Sequence, residues 1–279
     1  MSKVKIEDIQ GKLLEIAVYF DAFCKTNNIV YYLMGGSALG AVRHKGFIPW
    51  DDDIDVFMTY RNYVKFIRAC EKNLDTKNYY LQKENTEEWP LFFSKLRMNG
   101  TTFIEEDTKN RQMHHGLYID IMCLNNVSSN IFFRYIQFLA ARLITIKTIA
   151  ERGYITNSKL KKTSIFIFKR LIGKNILKLL VNLVRLMNNK DTKYVGHFFG
   201  RAKFKNTSFL TEYLGNQRYV DFSTVKLPVP SKVEKYLELR YGSNFMEMPD
   251  EKTKSLYPSH SAFVDLFNDY KNYDSNINI

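Results

Sequence analysis

Three features of the 279-residue chain predict an α+β fold. Apolar residues recur at helical spacing in some stretches and form short β-branched and aromatic runs in others, with Gly and Pro marking the breaks. A basic, helix-patterned segment then interrupts this mixed pattern. The expected organisation is an α/β unit over residues 1–126, a basic helical insertion over 127–205, and a C-terminal α/β part over 206–279 that completes the first unit.

The elements follow in order. Ile9, Leu13, Ile16, Ala17 and Phe20 have helical spacing and predict a helix from Ile6 to Lys25. Ile29–Met34 reads as a strand ended by Gly35-Gly36-Ser37, with a short helix over Ala38–His44. Gly46 and Pro49 break the chain before a second strand, Ile54–Met58, and a helix over Arg61–Lys72. Leu91–Met98, Thr101–Glu105 and Leu117–Met122 read as strands, the first two joined as a hairpin by Asn99-Gly100. From Asn130 to Met187 the pattern is helical, and a strand near Thr224–Leu227 and a helix over Lys232–Tyr241 follow.

Composition narrows the class. With 45% of residues apolar, the chain buries a substantial core, which excludes wholesale disorder and a disulfide miniprotein. Cys24, Cys70 and Cys123 are scattered, which predicts free thiols and no zinc cluster. No secretory h-region and no long charge-free apolar run is apparent, so a cytoplasmic location is expected. The net charge of +12 is concentrated: residues 127–205 hold 17 Lys and Arg against two acids, while the remainder of the chain is at −3. Arg170, Lys174, Lys178 and Arg185 fall in one arc of a helical wheel, and Ile172, Ile176, Leu179, Leu180, Leu183 and Met187 gather opposite. Such a helix suits an anionic membrane surface, so residues 165–187 are expected to make a peripheral contact at the inner face of a bacterial membrane. Packing of the apolar side on the core is the rival. Nucleic acid ranks third, because no recognisable binding module accompanies the charge.

The most informative stretch is Trp50-Asp51-Asp52-Asp53-Ile54-Asp55-Val56. Four acids within five residues repel one another unless a cation takes up their charge. Asp53 and Asp55, two apart on a strand, share a face, and Ile54 and Val56 anchor the other face in the core. Asp120, a lone acid in the strand Leu117–Met122, is placed to join them as a third ligand of Mg²⁺, with Mn²⁺ as an alternative. An acidic turn in water is the bland reading, and it fits Asp51 and Asp52 as well as a functional one does. A calcium loop of EF-hand type fails, since Val56 and Asn62 occupy its glycine and glutamate positions. Gly35-Gly36-Ser37 ahead of a helix offers free N–H groups to an anion, and Ser37 precedes Asp53 by 16 residues.

The 22 residues from Gly35 through Arg43-His44-Lys45 and Trp50 to Val56 closely resemble the signature of the LicD family, bacterial phosphocholine transferases related to fukutin-type ribitol-phosphate transferases. Phe93–Arg97, Gly116–Ile121, Val225–Pro230, Tyr236–Gly242 and Ser259-His260 add to the resemblance. It implies a nucleotidyltransferase-like mixed sheet, a CDP-alcohol donor (CDP-choline foremost), and transfer of the phospho-alcohol to a hydroxyl of a cell-surface, lipid-linked glycan with release of CMP. By position, Asp53, Asp55 and Asp120 match the family's metal carboxylates. Met122-Cys123 and Asn125 differ from the Phe-Pro and Asp that relatives often carry.

Further residues are candidates for substrate contact. Gly36, Ser37, Arg43, His44 and Lys45 are placed to meet the donor's phosphates, as are Asp51 and Asp52 through their neighbours. Lys95 and Arg97 share a strand face and are expected to reach the diphosphate, or else to face water. His114, His115 or His260 can act as base, although a loop histidine is more often incidental. Trp50 and Trp89 offer an aromatic wall to a cation, with ordinary packing the commoner role. The rival activities are nucleotide transfer from an NTP, glycosyl transfer by a DxD site, and glycan binding without turnover.

Overall fold

The structure is a computed structural model that describes residues 4–151, 158, 163, 167, 170–200, 202–254 and 260–273. Helix α1 (Ile6–Thr26) buries the stripe read from its spacing: Ile9, Leu13, Ile16, Ala17 and Phe20. Helix α3 (Tyr60–Asn73) buries Tyr63, Phe66, Ile67 and Cys70, and its Phe66 ring lies 5.4 Å from that of Phe20. Both helices therefore cover the same face of one sheet.

That sheet runs in the order β1 (Tyr32–Leu33), β2 (Asp55–Thr59), β6 (Tyr118–Val127), β4 (Ser94–Met98), β3 (Tyr79–Gln82). The pair β2–β6 is parallel and the other pairs are antiparallel, so the sheet is mixed. The far end of β6 also pairs with β7 (Tyr194–Gly196), which pairs with β8 (Ser208–Leu210). The basic stretch thus returns a strand to the sheet. The sequence reading missed β3 and β7, whose short runs lack a clear period.

Two expectations are corrected here. Gly35-Gly36-Ser37 is not a turn before a helix but the first turn of helix α2 (Gly35–His44). Gly35 enters at φ +60, a conformation that favours glycine, and a Cβ there would lie 3.0 Å from Asp55 Oδ2. The Asn99-Gly100 turn forms, but it makes no hairpin. β4 is already paired on both edges, and the Thr101 hydroxyl binds the Met98 carbonyl and the Leu117 amide just beyond it. β5 (Thr102–Glu105) therefore leaves the sheet and pairs with β11 (Ser261–Asp265).

Helices α4 (Ile131–Glu151) and α5 (Lys174–Arg185) build a second, smaller core around Ala140, Ala141, Ile144, Leu180, Val184 and Phe198. The apolar arc expected on the basic helix is split: Ile172 and Leu180 are buried, whereas Ile176 and Leu179 are exposed. Arg185 is not on a solvent-facing cationic arc. Its guanidinium turns inward to Glu84 and lies over the Tyr60 ring. Residues 165, 166, 168 and 169 of the expected contact segment lie outside the described residues. The C-terminal part forms the hairpin β9 (Arg218–Phe222) and β10 (Val225–Val229), then α6 (Val233–Tyr241) and the short α7 (Glu251–Lys254). All three cysteines are buried free thiols. Among the described residues, no helix is long and apolar enough to cross a membrane.

Candidate active site

Register assembles the acids. Asp55 opens β2 directly beside Asp120 on parallel β6, and the Asp120 amide donates to the Ile54 carbonyl. Ile54, Val56, Ile119 and Ile121 are buried on the opposite face, which fixes the carboxylates on this one. Oxygen atoms of Asp53, Asp55 and Asp120 lie within 4.8 Å of one another. The first turn of α2 is clamped onto them: the Asp55 amide donates to Ser37 Oγ at 2.8 Å, and the Gly35 amide donates to the Tyr236 hydroxyl at 3.0 Å. Ser37 thus locks the helix to the acid strand. Gln10 of α1 supports the acid loop by donating to the carbonyls of Ile48 and Asp51. The sequence gives no hint of that role.

Electrostatics make this a high-energy arrangement. Burial, followed by repulsion from Asp53, pushes Asp51 up to about 8. Burial likewise raises Asp53, and it raises Asp55 well above the usual carboxylate range, with Asp53 and Asp120 adding to the effect on Asp55. Asp120 rises to about 6, mainly by burial and against the pull of Lys95. The Lys95 ammonium forms an ion pair with Asp120 Oδ1 at 3.3 Å. Three converging carboxylates, strained by mutual charge, fit a hard divalent cation such as Mg²⁺ or Mn²⁺.

His260 sits at the rim. Its backbone amide donates to Asp52 Oδ2 at 2.9 Å, its Nδ1 is 2.7 Å from Asp52 Oδ1, and Asp53 Oδ2 is 3.7 Å away. The bond to Asp52 raises its pKa to about 9. A histidine raised in this way stabilises the fold fully below about 6.5, and that support is lost as pH rises through about 9. In chelator, the melting-temperature gap between wild type and His260→Gln should therefore narrow from pH 6.5 to above 9. A constant gap would contradict the pairing.

Asp51, Asp53 and Asp55 line a cleft of about 570 Å³, together with Gly36, Arg43, Trp50, Tyr241, Phe245 and Lys254. Arg43 donates to the carbonyls of Phe245 and Glu247, so it holds the outer wall in place. Trp50 lines the cleft with the Lys254 ammonium 5.0 Å from its ring centroid. The wall after α6 carries no sequence signal beyond the Tyr236–Gly242 block.

Other expected contacts are placed elsewhere. Arg97 is fully buried, donating to Gln82 and to the Gly116 carbonyl, and it does not line the cleft. Neither Lys95 nor Arg97 faces water. Lys95 is enclosed by Glu105, Asp120 and the Tyr118 ring, 3.1 Å from its centroid. His115 is buried against the Arg111 carbonyl and His114 stacks on Tyr80, both outside the cleft. His44 accepts from Arg43, while Lys45, exposed in a left-handed C-cap, accepts the Ser223 amide through its carbonyl; neither lines the cleft. Trp89 is buried and donates to the Phe93 carbonyl.

Comparison with known proteins agrees with this geometry. A family model described as LicD/FKTN/FKRP, nucleotidyltransferase domain, matches residues 28–122. The chain is 25% identical to the lipopolysaccharide cholinephosphotransferase LicD of Haemophilus influenzae, over 95% of this chain and 100% of that one. It is 48% identical to an uncharacterized protein of Rickettsia typhi over 14% of this chain and 13% of that one. It is 38% identical to the ribitol 5-phosphate transferase FKRP of Mus musculus, over 22% of this chain and 11% of that one.

Proposed function

We propose that this protein, whose residues 28–122 match the LicD/FKTN/FKRP nucleotidyltransferase domain, is a phosphotransferase that moves a phospho-alcohol group from a CDP-alcohol to a glycan hydroxyl, releasing CMP. CDP-choline is the favoured donor, and a lipid-linked glycan the favoured acceptor. The single observation that carries this reading is the convergence of Asp53, Asp55 and Asp120 within 4.8 Å beside the first turn of α2, with Asp53 and Asp55 lining a cleft.

In this reading Asp53, Asp55 and Asp120 hold Mg²⁺, which supplies charge neutralisation for the diphosphate and the departing CMP. The glycan oxygen bonds to the β-phosphorus as the bond from that phosphorus to the CMP oxygen breaks. Asp120 is the favoured proton acceptor, its carboxylate lying within 4.8 Å of those of Asp53 and Asp55. Gly35 and Gly36 of the α2 first turn line the same cleft. His260 neutralises part of the acid charge that would otherwise repel the donor. Rate enhancement then comes mostly from positioning and fixed charge.

The test is incubation with Mg²⁺, a glycan acceptor and a panel of CDP-alcohols, reading nucleotide products by mass spectrometry. CMP from CDP-choline, without pyrophosphate, is expected. Pyrophosphate released from CTP would instead make the chain a nucleotidyltransferase.

A further inference from the structure

Helix α5 carries one broad apolar arc, and the protein core uses only part of it. Leu180 and Val184 pack into the smaller core, while Ile176, Leu179 and Leu186 point away from it with 47%, 59% and 66% of their surface exposed. Lys174 and Lys178 lie on the polar side of the helix, exposed and without an ionic partner among the described residues. The start of α4 lies beside the end of α5: Gln137 Nε2 donates to the Val184 carbonyl at 3.0 Å, and the Asn126 amide to Asn188 Oδ1 at 2.7 Å. The helices therefore pack antiparallel, which brings Phe132 and Phe133, 65% and 57% exposed, to the same end as Leu186. Water-facing helices rarely display this much apolar side chain without a partner.

We propose that the outer side of α5, together with the first turn of α4, docks on an anionic lipid bilayer. Charge selects this occupant. Lys174 and Lys178 put unbalanced positive charge on this helix, so a second copy of the same face would be repelled. Nucleic acid would engage the lysines but leave the apolar row unused. An interfacial helix uses both, lying in the headgroup plane with apolar side chains inserted and lysines on the lipid phosphates. No described helix is long and apolar enough to span, so the contact is peripheral. The surface differs from the one expected from sequence, since Arg185, Ile172 and Leu180 are withdrawn into the protein and the α4 phenylalanines are added.

The experiment is co-sedimentation of the full chain with phosphatidylcholine vesicles, with and without phosphatidylglycerol, at low and high salt. Wild type should pellet with the anionic vesicles at low salt and be released by salt. Each lysine contributes a factor of roughly five at such a surface, so Lys174→Gln/Lys178→Gln should bind about 25-fold more weakly. Ile176→Ser/Leu179→Ser should lose about tenfold or more while keeping every charge. Both variants should melt like wild type, because the changed side chains lie outside the core. The readout is independent of turnover, so a failed transferase assay leaves it standing. Failure of wild type to bind anionic vesicles at low salt would overturn the proposal. So would serine variants that bind normally, or a wild-type dimer that the serine variant dissolves.

Discussion

Replacing Asp53 or Asp55 by Asn is expected to lower turnover by about a thousandfold while making the chelator-treated protein more stable. Both effects have one cause. The acids are buried together, so each negative charge opposes folding until a cation arrives. Their folded pKa values are raised, so the stability they confer as neutral groups is present at low pH. It is lost as pH rises above the usual carboxylate range and through those raised values. At pH 8 without metal, either substitution should add roughly 1–2 kcal/mol, a few degrees in melting temperature. Mg²⁺ should raise the melting temperature of wild type and leave that of the variants nearly unchanged. A variant that melts lower than wild type in chelator would mean that Asp53 and Asp55 are not strained by their charge.

The second large effect concerns Lys95, which belongs to a buried network rather than to the donor's diphosphate. Burial pushes its ammonium below the ordinary value, while Asp120 and Glu105 oppose the shift. Glu105 is pulled down to about 2, because Lys95 and Arg97 outweigh its own burial. Lys95→Met leaves Asp120 and Glu105 charged, buried and short of a partner, at a cost of about 3–5 kcal/mol. Denaturant unfolding should show that loss, and adding Glu105→Gln should recover part of it. Were Lys95 a phosphate contact, the single variant would weaken donor binding with little change in stability.

These two sites also mark how far the sequence could be read. Asp53-Ile54-Asp55 was legible because strand alternation assigns faces without any knowledge of the fold, and Asp120 was legible as a lone acid among apolar residues. Their meeting depended on the parallel β2–β6 register, which no local signal encodes. Lys95 and Arg97 were misread for the complementary reason. Alternation correctly gave them a common face, but whether that face meets a ligand or a buried glutamate depends on where β5 goes. β5 departs because both edges of β4 are taken, a fact of topology. His260 was named from a trailing Ser-His, yet its contact with Asp52 spans 208 positions and exists only once the chain folds back. The same holds for the outer wall that Arg43 tethers.

Whether these acids drive transfer of an intact phospho-alcohol is tested most directly by mass analysis of the acceptor glycan. Wild type, Mg²⁺ and CDP-choline should yield one phosphocholine on the glycan for each CMP released, and Asp53→Asn should yield neither. CMP without a modified glycan, a glycan bearing a sugar or a nucleotide, or an active Asp53→Asn enzyme would contradict it.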